Sequence, residues 1–107
     1  MIIKNKISSE KLDEIAEGTL MVKLVVDIEK EILAAGCELH IDCAEEMIGA
    51  GSLNKNLWGA NIYPKNKKID FSAVFNIRPQ SGNRSMEIQD NAIREKVGAV
   101  IKKLLPL

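Results

Sequence analysis

The chain is poor in aromatic residues. Trp58, Tyr63, Phe71 and Phe75 are the only ones among 107 residues, so the core must be built mostly from Ile, Leu, Val and Ala. It has no long apolar run. Nothing approaches the roughly 20 consecutive residues that span a bilayer, and Met1–Lys6 is too polar for a secretory signal. Net charge is also absent. Fifteen basic residues balance fifteen acidic ones, which removes the broad positive field that nucleic-acid binding draws on. Only Lys65, Lys67 and Lys68 cluster. These absences predict one cytoplasmic domain, residues 1–107, with neither membrane nor nucleic acid as partner. In that compartment Cys37 and Cys43 are expected to be reduced.

The apolar fraction of 46% suffices for one small core. Ile2 and Ile3 suit a short leading strand. Ser8 reads as a helix N-cap, with Ile7 and Leu12 placed as a hydrophobic staple, and that helix should stop near Gly18. Met21, Leu24, Val25, Ile28 and Ile32 recur at helical spacing, which predicts a long second helix from Thr19 to a left-handed stop at Gly36. Cys37, Leu39, Ile41 and Cys43 then alternate with Glu38, His40 and Asp42, as in a strand with one buried face. Trp58, Ala60 and Ile62 make a second alternating run. Phe71, Ala73, Phe75 and Ile77 make a third. Pairing Trp58 with Phe75, Ala60 with Ala73 and Ile62 with Phe71 sets apolar against apolar, and a slip of two residues keeps the same faces. Asp90 or Asn91 caps a last helix with Ile93, Val97, Val100, Ile101 and Leu104 on its apolar stripe. The fold class is therefore α+β, an antiparallel three- to four-stranded meander sheet with helices packed on one face.

Three chemistries compete on this frame. Cys37-x-x-His40-x-x-Cys43 has metal-like spacing, but on a strand His40 points away from the sulfurs and the cysteines lie about 20 Å apart. That excludes both zinc and a disulfide. His40 between Glu38 and Asp42 suggests acid–base chemistry, although no nucleophile pattern accompanies it. The polar loops 49–56 and 79–87 leave the same end of the meander. There Arg78 and Arg84 are the candidate clamp for a small anion or an acidic peptide terminus, with Asn76, Asn83 and Ser85 to orient it. The leading functional reading is thus a binding module with those five residues as its ligand site and no metal or cofactor. The alternatives are a homodimeric interaction protein and a small enzyme using His40. The competing view of the loops is that Gly, Asn and Ser serve only to turn the chain.

Trp58-Gly59-Ala60-Asn61-Ile62-Tyr63-Pro64, followed by the segment Asn76-Ile77-Arg78-Pro79-Gln80-Ser81-Gly82-Asn83-Arg84-Ser85, resembles a family of short prokaryotic proteins classified only as a domain of unknown function. Glu38-Leu39-His40 is similar as well. The resemblance spans nearly the whole chain. It implies a stand-alone cytosolic bacterial or archaeal domain and supplies no catalytic residues.

Overall fold

The Val22–Asp27 segment (Val-Lys-Leu-Val-Val-Asp) is rich in β-branched residues, which lose side-chain freedom in a helix and pack well on a pleated sheet. The structure, a computed structural model describing residues 1–107, makes it the central strand. The elements run β1 (Ile2–Ile3), α1 (Ser9–Ala16), β2 (Val22–Asp27), β3 (Ile32–Ala35), α2 (His40–Gly49), β4 (Leu57–Tyr63), β5 (Lys68–Asp70) and α3 (Asn91–Leu104). The fold is α+β, with five antiparallel strands ordered β1-β3-β2-β4-β5. Short 3-10 turns occupy Asn54–Asn56, Pro64–Asn66, Val74–Asn76 and Pro79–Ser81.

The predicted helix over residues 19–36 is instead the β2–β3 hairpin. Its turn is held by Asp27, which is fully buried. One carboxylate oxygen accepts the N–H groups of Glu29 and Lys30 at 2.9 Å each. The other accepts the Ser52 hydroxyl at 2.6 Å, fastening the loop after α2 to the hairpin. Ser52→Ala leaves that oxygen without its donor and is expected to lower stability by about 2 kcal/mol. Urea unfolding would read this as a lower midpoint with an unchanged slope.

The predicted strand at Cys37–Cys43 is corrected to the entry and first turns of α2. Helical winding places Cys43, Ala44 and Met47 on one buried stripe. It also brings Cys37 and Cys43 to a Cα separation of 5.7 Å, where they form a disulfide. The expectation that they lie too far apart to bond therefore fails, because it rested on the rise of an extended strand, and the reduced thiols expected from the compartment are instead joined. The predicted third strand, with Phe71, Ala73, Phe75 and Ile77 on one face, does not form: Val74–Asn76 is a 3-10 turn, and Phe71 and Phe75 pack into different clusters. The strand that pairs with β4 lies just before it, as β5, with Asn61↔Asp70, Ile62↔Ile69 and Tyr63↔Lys68 opposite one another. Trp58 and Ala60 have no partner on this side, so the expected pairs with Phe75 and Ala73 are absent. Beyond β5 only two isolated bridges form, Ser72 with Glu87 and Arg78 with Asn83.

Helices cover both faces of the sheet rather than one. Leu24, Val26, Leu33, Trp58, Ala60 and Ile62 pack with Leu12 of α1 and with Val97, Ile101 and Leu104 of α3. The alternate residues Val25, Ala34 and Leu57 pack with Cys43, Ala44 and Met47 of α2. The ends of α1 and α3 follow the sequence signals. Ser8 Oγ accepts the Lys11 N–H at 3.1 Å, and Asp90 Oδ1 accepts those of Ala92 and Ile93. Being short, α2 covers only part of its face. The sheet beyond its N-terminus, where Lys23, Asn61 and Asp70 lie side by side on β2, β4 and β5, is the floor of the site described next.

Candidate functional site: the His40 pocket

Lys23, Asn61 and Asp70 alternate with residues of the α1/α3 core and so point to the other face. His40, the first residue of α2, reaches over this row. Its Nε2 lies 3.0 Å from the Ala60 carbonyl oxygen and 2.9 Å from Asn61 Oδ1. The Asn61 amide is oriented by its own donor group, which bonds Asp70 Oδ2 at 3.2 Å and the Ser72 carbonyl at 3.0 Å. His40 Nε2 therefore faces two acceptors and must carry the proton, which leaves Nδ1 as the bare acceptor of a neutral ring. A Cβ added at Gly59 would stand 3.3 Å from His40 Cδ2. The Cδ2–Nε2 edge thus rests on β4, and the Nδ1 edge turns away from it.

The ring borders a cavity of about 600 Å³ walled by Met21, Leu39, Ile41, Val74, Phe75 and Met86, with Lys23, Asn61 and Ser72 as further polar members. Leu39 and Val74 are 57% and 71% exposed, large values for apolar side chains. Desolvation is the main influence on His40 and pushes its pKa below the ordinary 6.5. Lys23 pushes the same way, while the bonds to Ala60 and Asn61 and the charge of Asp70 oppose it. Glu38 and Asp42, the neighbours the sequence offered as its partners, are replaced in this role by Asn61, Ala60 and Asp70. Asp42 instead accepts the Leu39 N–H at 3.2 Å.

A histidine whose pKa is lowered by folding binds fewer protons folded than unfolded. Its contribution to stability is complete above pH 6.5 and is lost as pH falls through that value toward the lower folded pKa. His40→Gln is expected to remove this component. Unfolding midpoints of the two proteins should differ in their slope against pH just below 6.5 and run parallel above it.

The five residues read as an anion site hold a different place. The two loops do meet, because Arg78 Nη1 donates to the Asn54 carbonyl at 2.8 Å and Nη2 to that of Leu57 at 2.6 Å. The Arg78 guanidinium also stacks 4.1 Å from the Trp58 ring centroid, and its burial lowers its pKa. Asn76 is fully buried; its amide accepts the Gly59 N–H at 2.8 Å and donates to the Gly59 carbonyl at 2.9 Å. Asn83 is buried too and donates to the carbonyls of Asn76, Ser85 and Glu87. Ser85 Oγ accepts the Glu87 N–H. Arg84 is exposed, and only its backbone N–H is engaged, by Gln89 Oε1 at 2.9 Å. The arrangement gathers Asn76, Arg78 and Asn83 as braces of the fold and leaves one free guanidinium. The Asn61 and Asp70 pairing was hidden in the sequence because it depends on the β4–β5 register. Its alternation with Ala60 and Ile62, which sets Asn61 on the opposite face, was the available signal.

The family model described as "Protein of unknown function (DUF5674)" matches residues 1–104. The chain belongs to that family. No curated protein and no solved structure matches it. Membership assigns no chemistry, so function must be argued from the pocket. No helix is long and apolar enough to cross a membrane.

Proposed function

We propose that this family member is a small binding module whose ligand enters the His40 pocket. The observation that carries the reading is an imidazole fixed through Nε2, with no hydrogen bond at Nδ1, on a residue that lines a largely apolar cavity. Binding sites for small molecules are commonly cavities of about 300–1,000 Å³ with apolar walls and a few fixed polar groups. The ligand class follows from the wall and the acceptor: an apolar body bearing one O–H or N–H donor. The suitable probe is 4-methylphenol, with toluene and 4-methylanisole as controls lacking the donor. Amide shifts at Leu39, His40, Ala73 and Phe75 should follow the phenol. His40→Gln should weaken it about 5- to 10-fold, the value of one hydrogen bond. Equal affinity for all three probes, or unchanged affinity in the variant, would remove the reading.

A second reading, self-association, is favoured by the exposed apolar rim at Leu39 and Val74. Sedimentation over a range of concentrations separates the two, since a strict monomer has no use for the rim in dimer contacts. The loop reading survives as a weaker proposal in which Arg84 alone meets an anion. The bonds of Arg78, Asn76, Asn83 and Ser85 would have to break before those groups could join it.

A further inference from the structure

The disulfide joins the residue three before His40 to the residue three after it. Its two sulfurs stand in different surroundings. Cys43 is 1% exposed and packs within the core beneath α2. Cys37 is half-buried and lines a second cavity of about 560 Å³, next to Leu20, Met21, Lys23 and Glu38. Met21 and Lys23 line both this cavity and the His40 pocket, so the two adjoin. An incoming disulfide can therefore reach Cys37, while Cys43 waits behind it as the resolving group. Cys37 also sits ahead of the N-terminus of α2, and Lys23, which lines the same cavity, donates its ammonium to the Glu38 carbonyl at 2.8 Å.

We propose that Cys37 and Cys43 form a redox-active dithiol–disulfide pair, exchanging with glutathione-class disulfides through Cys37, whose oxidised form locks His40 onto Asn61. The second half rests on the pocket reading above. In oxidation the Cys37 thiolate attacks one sulfur of the small disulfide, forming a mixed disulfide and expelling one glutathione thiolate, which takes a proton. Cys43, deprotonated, then attacks the Cys37 sulfur and expels the second. Two electrons pass from the protein dithiol to the small disulfide, and both protons end on the released thiols. The bridged residues are only six apart in sequence. A loop that short constrains the unfolded chain less than a long one, so the main effect of the bond is local. Once it is reduced, the entry to α2 keeps the Gly36 N–H bond to the Lys23 carbonyl at 3.1 Å and the Lys23–Glu38 bond, but loses its covalent tie to the helix.

The test equilibrates the full chain in glutathione buffers of stepped ratio, alkylates free thiols and weighs the products. The same samples report the His40 titration and the affinity for 4-methylphenol. The groups facing His40 are Lys23 and Asp70, neither of which changes charge with the disulfide, and a chain carrying both Cys37→Ala and Cys43→Ala repeats the titration with the bond absent and no thiolate formed. The expected result is one two-electron transition, with Cys43→Ala trapping a glutathione adduct on Cys37 and Cys37→Ala trapping none on Cys43. On reduction the His40 pKa should rise toward its ordinary value. Affinity should fall about threefold or more, as when the competent pose drops to a third of the population. A bond that resists the whole buffer range in the unsubstituted chain, or adducts on both cysteines alike, would overturn the redox pair. An identical His40 titration in both states would overturn the lock. Failure of the oxidised chain to bind 4-methylphenol counts against the pocket alone, and the His40 titration then decides the coupling.

Discussion

Gly59→Ala is expected to destabilise the fold by about 3 kcal/mol and to dislodge His40. A Cβ at this position would meet the Ala73 Cβ at 2.6 Å, with His40 Cδ2 at 3.3 Å and Asn76 Oδ1 at 3.5 Å. The first contact is closer than real methyl groups come, and Ala73 has no rotamer with which to yield. Either β4 or the Ala73 backbone must move. Gly59 pairs with Val25 of the central strand, so the easier movement is outward, at the 72–76 segment that forms one wall of the pocket. The variant should therefore show two losses together: a lower unfolding midpoint, and a His40 ring whose pKa returns toward the ordinary value as it lifts from Asn61. A Gly59→Ala protein as stable as the parent, with an unchanged His40 titration, would mean that β4 and the pocket wall are not in the contact described.

Asn76→Ala is expected to cost about 4 kcal/mol, a large share of the stability of a domain this size. β4 continues past the end of β5, and at Gly59 no strand pairs with its outer edge. The Asn76 side chain takes that role, with its amide serving as a single peptide unit for the Gly59 N–H and carbonyl. Its donor group also bonds the Met86 carbonyl at 3.1 Å. Truncation leaves a buried donor and two buried carbonyls short of partners, and each such group costs about 1–3 kcal/mol before relaxation. Asn76→Asp separates shape from hydrogen bonding. It keeps the acceptor for Gly59 but turns a second oxygen toward the two carbonyls, so it should be destabilising to a similar degree. A mild effect of both substitutions, read by urea unfolding, would show that Gly59 finds other partners.

Asn76 and Asn83 show why residue type alone left the role of the loop residues open. An asparagine in a Gly/Ser loop beside an arginine is suited to hold a ligand, and equally suited to stand in for a missing strand. Residue type alone does not separate the two uses. Asn76 and Asn83 are both buried and bonded to backbone, a fact that only the three-dimensional path of residues 71–89 reveals.

Elsewhere legibility followed exposure. The helices α1 and α3 were visible because each has one wet face and a capping side chain. β4 was visible because Trp58, Ala60 and Ile62 alternate with Gly59 and Asn61. β2 was not, because Val25 packs against α2 on the face opposite Leu24 and Val26, and this breaks the alternation that Lys23 and Asp27 would otherwise set. Its turn, Ile28-Glu29-Lys30-Glu31, lacks Gly, Pro and Asn. Glu31 adopts φ 56° there, and buried Asp27 supplies the turn's hydrogen bonds. α2 was masked because Cys37–Cys43 alternates like a strand although its helical stripe begins only at Cys43. Its assignment as a strand then made the disulfide look impossible.

The central claim is that the fold holds a neutral His40 by Nε2 and presents Nδ1 to the pocket. The most direct test is the two-bond proton–nitrogen NMR correlation of the His40 ring, followed from alkaline to acid pH with and without 4-methylphenol. The account expects a proton-bearing Nε2, a bare Nδ1 that alone responds to the phenol, and protonation only below pH 6.5. A proton on Nδ1 in the neutral ring, or a midpoint at or above 6.5, would contradict it.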